Sequence, residues 1–152
     1  MLNKKTSLYL DTSIFGGYFD DIFKQDTRLL FEKIKSGKYE IFVSDLTEKE
    51  LKKAPENVRE LLNIFEWQSL TATTTCEALA DEYIEEKVVG KTSRDDCIHI
   101  ATATINNIDI LVSWNFKHIV NVERAKGYNI VNIRHGYRHL EIHSPKEMGI
   151  YD

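Results

Sequence analysis

The sequence predicts an α/β protein, a parallel sheet with helices on both faces. Three observations support that class. Strand-length apolar segments alternate with helix-length amphipathic segments along the chain, the pattern of βα units. At 152 residues, with 42% hydrophobic and 29% charged residues, the chain has the size and composition of one folded domain with a sizeable core. No internal repeat, low-complexity tract or linker divides it. Residues 1–152 are therefore expected to form a single domain, extended by a tail from about residue 134 to 152.

Ser7-Leu8-Tyr9-Leu10 reads as a buried strand that stops on Asp11-Thr12-Ser13. In open α/β sheets ligands bind at the carboxyl ends of strands, so Asp11 is well placed for chemistry; helix capping by Asp11 or Ser13 is the structural alternative. Gly16-Gly17 marks a bend. The spacing predicts a helix over Asp26–Lys35, with Leu29, Leu30, Phe31 and Ile34 on one face and Ser36-Gly37 ending it. Glu40–Ser44 is the second strand. Asp45 and Thr47 open a helix that carries Glu48 and Glu50 and stops near Pro55; Thr47 and Glu50 also have capping-box spacing.

A helix is expected over about 56–65, and Trp67–Leu70 reads as a short third strand. Thr74 or Thr75 caps a helix over about 76–89, broken by Gly90-Lys91-Thr92. From about Ser93 to Asn107 follows an almost wholly apolar helix that begins with two acids, Asp95 and Asp96. Negative charge is favourable at a helix N-terminus, and Ser93 with Asp96 fits a capping box. Asp109–Ser113 is a strand ended by Trp114-Asn115-Phe116. Lys117–Lys126 reads as a helix stopped by Gly127, and Tyr128–Ile133 as the last strand of the series. In the tail, Leu140–His143 looks extended.

Composition narrows the functional classes. Net charge is −4 and the pI about 5.8, which is not the profile of a protein coated for nucleic-acid binding, although it leaves room for a local basic groove. No apolar run approaches the roughly 18 residues that span a membrane, and the first residues lack the apolar region of a signal peptide. Cys76 and Cys97 form no CxxC pair, so reduced thiols in a cytoplasmic protein are expected rather than a zinc site. The P-loop, GxGxxG and GxSxG patterns are absent from the sequence. A receiver-like phosphoacceptor domain is disfavoured, because no strand after Asp11 ends in aspartate.

The acids make a pattern together. Asp11 follows the first strand, Glu50 lies on the helix after the second, and Asp95 and Asp96 open the apolar helix, while Asn115 follows the next strand. In a doubly wound sheet these positions share one edge. Clustered carboxylates raise each other's pKa, and a cation relieves that repulsion. Oxygen ligands with room for water suit Mg²⁺ or Mn²⁺, ions that activate water in phosphodiester hydrolysis.

Leu10-Asp11-Thr12-Ser13, Ser44 with Glu50 six positions on, Asp96-Cys97-Ile98-His99-Ile100-Ala101-Thr102-Ala103, and Leu111-Val112-Ser113-Trp114-Asn115-Phe116 resemble the PIN-domain family, which includes the VapC-type toxin ribonucleases of type II toxin–antitoxin pairs. The resemblance covers nearly the whole chain. It implies a Rossmann-like three-layer fold with a central parallel sheet and a Mg²⁺- or Mn²⁺-dependent endoribonuclease acting on RNA. It further implies homodimers and, for a toxin, a small antitoxin partner. Asp11, Glu50 and Asp96 match the family's metal-binding acids, with Glu48 a weaker substitute for Glu50. Thr12, Ser13 and Asp95 would support them through hydrogen bonds. Asn115 stands where many members carry aspartate, so it keeps an oxygen but brings no charge; this favours the alternative of a non-catalytic PIN-like module that binds RNA or protein.

Lys117 and His118 are candidates to steady a phosphate, and Trp114 to contact RNA, with Trp67 and Tyr18 as further stacking candidates. His99 shares the helical face of Asp95 and Asp96, and a core role is the more common fate of such a histidine. His135, His139 and His143 form a regular series with Arg134 and Arg138, read as a basic patch or a solvated tail rather than a metal site.

Overall fold

The computed structural model describes residues 4–150. Residues 1–3 and 151–152, the ends of the N-terminal lead and of the tail, lie outside the described residues. Five parallel strands form one sheet in the order β3-β2-β1-β4-β5: β1 (Thr6–Leu10), β2 (Tyr39–Ser44), β3 (Gln68–Leu70), β4 (Ile110–Val112) and β5 (Glu141–His143). The helices that flank it are α1 (Thr12–Gly17), α2 (Lys24–Lys35), α3 (Asp45–Leu51), α4 (Glu56–Arg59), α5 (Thr74–Glu85), α6 (Arg94–Ile105), α7 (Val122–Arg134) and α8 (Pro145–Ile150). The α/β class and parallel sheet stand as expected.

The pleat of β1 explains the layering, since successive side chains point to opposite faces. Tyr9 packs with Cys76, Tyr83, Cys97, Ile100, Tyr128 and Val131 on the face covered by α5, α6 and α7. Leu8 and Leu10 pack with Ile14, Phe15, Leu30, Phe31, Val43 and Met148 on the other. Helix α6 is buried from Cys97 to Thr104. A helix apolar all round must be covered on every side, and here the sheet, α5 and α7 do so.

Several expectations need correction. Gly16 and Gly17 end α1 rather than forming a bend. Gly17 is needed for a close approach: a Cβ there would meet Trp114 Nε1 at 2.6 Å. Leu29 is exposed, and Thr27 takes the inward place beside Leu30, Phe31 and Ile34. The helix over 56–65 is one turn of α followed by a 3-10 turn, Glu60–Asn63. Helix α5 ends at Glu85, short of Val89, where Lys87 takes a left-handed backbone with φ 62°.

The largest correction falls on residues 117–133. Helix α7 begins only at Val122, capped by Asn121, whose Oδ1 accepts from Arg124 N at 2.8 Å. It runs through Gly127 and Tyr128–Ile133 without a break. Gly127 admits close packing against Val88, whose Cγ1 would stand 2.9 Å from an added Cβ. The fifth strand comes instead from the tail, at Glu141–His143, paired with β4. The tail then forms α8, which the sequence reading did not resolve.

Candidate active site

The end of the central strand delivers Asp11 to the carboxyl edge of the sheet, 4% exposed. Both its oxygens are held: Ser13 Oγ donates to Oδ1 at 2.6 Å and Ser113 Oγ to Oδ2 at 2.5 Å. These serines accept from the backbone N–H groups of Trp114 and Asn115, each at 2.9 Å. The loop after β4 is thereby tied to Asp11. Although Asp11 occupies the N-cap of α1, its side chain makes no capping bond, so the capping alternative is not realised. Burial pushes its carboxyl up, and the charge of Asp96 adds to this; His99, Ser113 and Ser13 oppose it.

Glu50 is set by the start of α3. There Ser44 and Thr47 form a reciprocal capping box, with each backbone N–H donating to the other side chain at 3.3 Å. The alternative box from Thr47 to Glu50 is therefore not used, and Glu50 is free to face the cleft. Its Oε1 accepts from Thr12 Oγ1 at 2.5 Å and lies 2.8 Å from His99 Nε2. Burial alone would raise its pKa, but His99, Thr12 and Lys53 together hold it below the ordinary glutamate value. Glu48 leaves by another face of the helix and accepts from Ser69 Oγ at 2.6 Å.

Asp96 stands in the first turn of α6. Burial raises its pKa, with a smaller push from Glu50; His99, His118 and Asn115 work against that. The capping box with Ser93 does not form, and Ser93 Oγ is buried without a partner among the described residues. Asp95 is exposed and makes no hydrogen bond among the described residues, so nothing ties it to Asp96. Asn115 accepts from His118 N with its Oδ1 at 3.0 Å, and its side chain also steadies the charge on Asp96.

Two residues near the cleft were undervalued by sequence reasoning. Ser113 stands in the Leu111–Phe116 segment that carries the family resemblance, but nothing in the sequence gives it a role of its own. His99 is 3% exposed, as a core histidine would be, yet it reaches Glu50 and accepts or donates at Nδ1 to the Tyr9 hydroxyl at 2.6 Å. Burial depresses its pKa, but Tyr9, the bond to Glu50 and the charges of Asp11 and Glu50 prevail and hold it at about 10. Its Nε2 stands among the acids, paired with Glu50.

The aromatic candidates fare differently. Trp114 is 7% exposed, donates from Nε1 to Thr27 Oγ1 at 2.8 Å and stacks on Phe23 with ring centroids 4.3 Å apart. It is a core residue, and Phe116 is the exposed aromatic of that loop. Trp67 donates to the Leu62 carbonyl, and the Tyr18 ring is covered by the Arg28 guanidinium at 4.8 Å. Lys117 is exposed and His118 half-buried; the latter's Nδ1 is buried with no hydrogen bond among the described residues, and its charge bears on Asp96.

The cleft donors are all oxygen, the set that Mg²⁺ and Mn²⁺ prefer. Two of the three carboxyls are pushed up, so the local positive charge does not satisfy them. Among the described residues, the three side chains whose ligand atoms all lie within 4.8 Å of one another are Glu82, Glu86 and His135, not the cleft acids. That group lies where α5 and α7 end. Its charges already have partners: Arg134 pairs with Glu86, and His135 Nε2 lies 3.6 Å from Glu82 and 3.7 Å from Glu86. Oxygens bound directly to one Mg²⁺ lie within about 4.2 Å of one another, so with the side chains as they stand an ion reaches Asp11, Glu50 and Asp96 together only if a bound water bridges to at least one of them. His139 and His143 face Glu141, and His143 also Glu147, so the tail series is paired with acids.

No family model matches the sequence, and no curated protein matches it. Among solved structures, the chain is similar to one chain of the crystal structure of VapBC2 from Rickettsia felis bound to a DNA fragment from their promoter. The TM-score is 0.55 at 19% identity, over 90% of this chain and 98% of that one. At that identity the likeness speaks for the fold. Among the described residues, no helix is long and apolar enough to cross a membrane.

Proposed function

We propose that this protein is a Mg²⁺- or Mn²⁺-dependent endoribonuclease of PIN type. The observation that carries the reading is the convergence of Asp11, Glu50 and Asp96 from β1, α3 and α6, with Asp11 and Asp96 pushed above their ordinary pKa. Asp11, Glu50 and Asp96 would hold the ion, with Thr12 and Ser13 fixing the first two through hydrogen bonds. An ion held there would supply an activated water and charge to offset that of the phosphate. Lys117 and His118 bring positive charge to the phosphate or the leaving oxygen, and Asn115 orients Asp96. Asp95 adds negative potential at the rim and no more.

Residues 1–152 are read as a single PIN-like domain, with the tail contributing β5 and α8. The protein acts in the cytoplasm as the toxin of a type II toxin–antitoxin pair, as a homodimer with a small antitoxin as its partner; the fold likeness to a VapBC2 chain supports that partner class. A second reading, a non-catalytic module for RNA or protein, is favoured by one observation: Asn115 adds no charge where an acid would complete the cleft.

The test is cleavage of single-stranded and structured RNAs in Mn²⁺ and in Mg²⁺, with EDTA and Asp96→Asn as controls. Cleavage that requires both the ion and Asp96 is expected. Cleavage that survives EDTA or Asp96→Asn would overturn the mechanism, and RNA binding with no cleavage in either ion would favour the second reading.

A further inference from the structure

We propose that His99 is a positioning residue for Glu50, and that the Tyr9–His99 pair sets where the Glu50 carboxylate stands in the cleft. The inference deepens the nuclease reading and rests on it.

The geometry runs from the centre of the sheet outward. Tyr9 lies on the middle strand and is fully buried. Its hydroxyl donates to Ser44 Oγ at 2.7 Å. Its oxygen is therefore left to accept from His99 Nδ1, 2.6 Å away. The two rings also meet edge to face, with centroids 5.7 Å apart and planes at 64°. Held at one nitrogen and one edge, the imidazole has little freedom to turn. Its other nitrogen, Nε2, then faces Glu50 Oε1 at 2.8 Å, and Thr12 Oγ1 donates to that same oxygen at 2.5 Å. One oxygen of Glu50 is thus pinned by two side chains, and Oε2 is left without a hydrogen bond among the described residues. A ligand oxygen presented this way is what groups behind a metal-binding carboxylate provide.

A histidine that only filled the core would need its polar atoms satisfied, but it would not need to satisfy them on a cleft acid. The chain Ser44–Tyr9–His99–Glu50 links β2, β1, α6 and α3. It ties the orientation of Glu50 to the packing of the sheet itself.

A double-mutant cycle in Mn²⁺ affinity, read by calorimetry, isolates this role from any direct effect of His99 on the ion. In the wild-type background Glu50→Gln is expected to weaken Mn²⁺ binding about tenfold, and in the His99→Leu background less than about threefold. His99→Gln keeps an N–H near the place of Nε2 and is expected to restore most of the coupling. In RNA cleavage, His99→Leu is expected to lower kcat about tenfold or more, with KM within about twofold. Should His99→Leu fail to fold, Tyr9→Phe serves in the same cycle, because it removes the hydroxyl that holds the ring. An equal loss on Glu50→Gln in both backgrounds would overturn the inference alone. Absence of Mn²⁺ binding by the wild-type protein would overturn the nuclease reading, and this inference with it.

Discussion

Alanine at Gly17 and alanine at Gly16 should have opposite effects, though the two glycines are neighbours in one helix. A Cβ on Gly17 would lie 2.6 Å from Trp114 Nε1, 2.7 Å from its Cδ1 and 2.9 Å from Thr27 Oγ1. None of these atoms can yield freely. The indole is stacked on Phe23, and its N–H is committed to Thr27. Overpacking of this kind costs roughly 1–3 kcal/mol, and a broken buried hydrogen bond about 1–3 kcal/mol more. The better helix propensity of alanine returns at most about 1 kcal/mol. A net loss of about 1–6 kcal/mol is expected for Gly17→Ala. At roughly 2.1 cal/mol/K of unfolding entropy per residue, the 152-residue chain should lose about 3–19 °C in Tm. Gly16 has nothing within 4 Å of an added Cβ, so Gly16→Ala should be neutral or stabilising by up to about 1 kcal/mol. The assay is thermal unfolding of both variants beside the wild type. Gly17→Ala at wild-type stability would refute the seating of Trp114. The consequence reaches the cleft, because Trp114 N donates to the same Ser13 hydroxyl that holds Asp11.

Two further outcomes follow from the same structure. If the cleft acids bind an ion, Mn²⁺ at 100 times its Kd adds about 2.7 kcal/mol of stability, which is roughly 8 °C in Tm; Asp11→Asn should abolish the shift, as differential scanning calorimetry would register. Asp109 ties β1 to β4, accepting from the Ser7 N–H at 2.9 Å and the Ser7 hydroxyl at 3.0 Å. Burial would raise its pKa, but the two Ser7 bonds and Arg138 hold it below the ordinary aspartate value. A depressed carboxyl binds fewer protons folded than unfolded, so its contribution is present above about pH 3.8 and lost as pH falls through the folded value. Asp109→Asn should flatten the acid limb of a stability–pH curve and leave the neutral limb unchanged in shape.

The α/β class and the parallel sheet are legible in the sequence, and so, in part, are the residues of the candidate cleft. Asp11 at a strand end and Asp96 at the head of an apolar helix are local signals, whereas Glu50 is preferred over Glu48 only through the family resemblance. Residues 128–133 misled because Tyr128, Ile130, Val131 and Ile133 are the aromatic and β-branched types that suit strands, and Gly127 resembles a stop. Their burial is helical: Tyr128, Val131 and Asn132 point inward, while Ile130 and Ile133 are exposed. Tertiary packing against Val88 overrides the local preference. Leu140–His143 reads as extended, and β5 forms there, but at three residues it is too short to declare itself the fifth strand of the sheet. Asn132 shows the same limit, since nothing local predicts that it accepts from the buried Tyr83 hydroxyl. Such partners, like His99 for Glu50, exist only once distant segments meet.

If Asp11, Glu50 and Asp96 form the cation site, anomalous scattering at the manganese edge from crystals grown with Mn²⁺ locates the ion there without reference to activity. A peak is expected in the cleft beside these three carboxylates, with loss of that peak in Asp96→Asn. A peak at Glu82, Glu86 and His135 with none in the cleft would contradict that assignment.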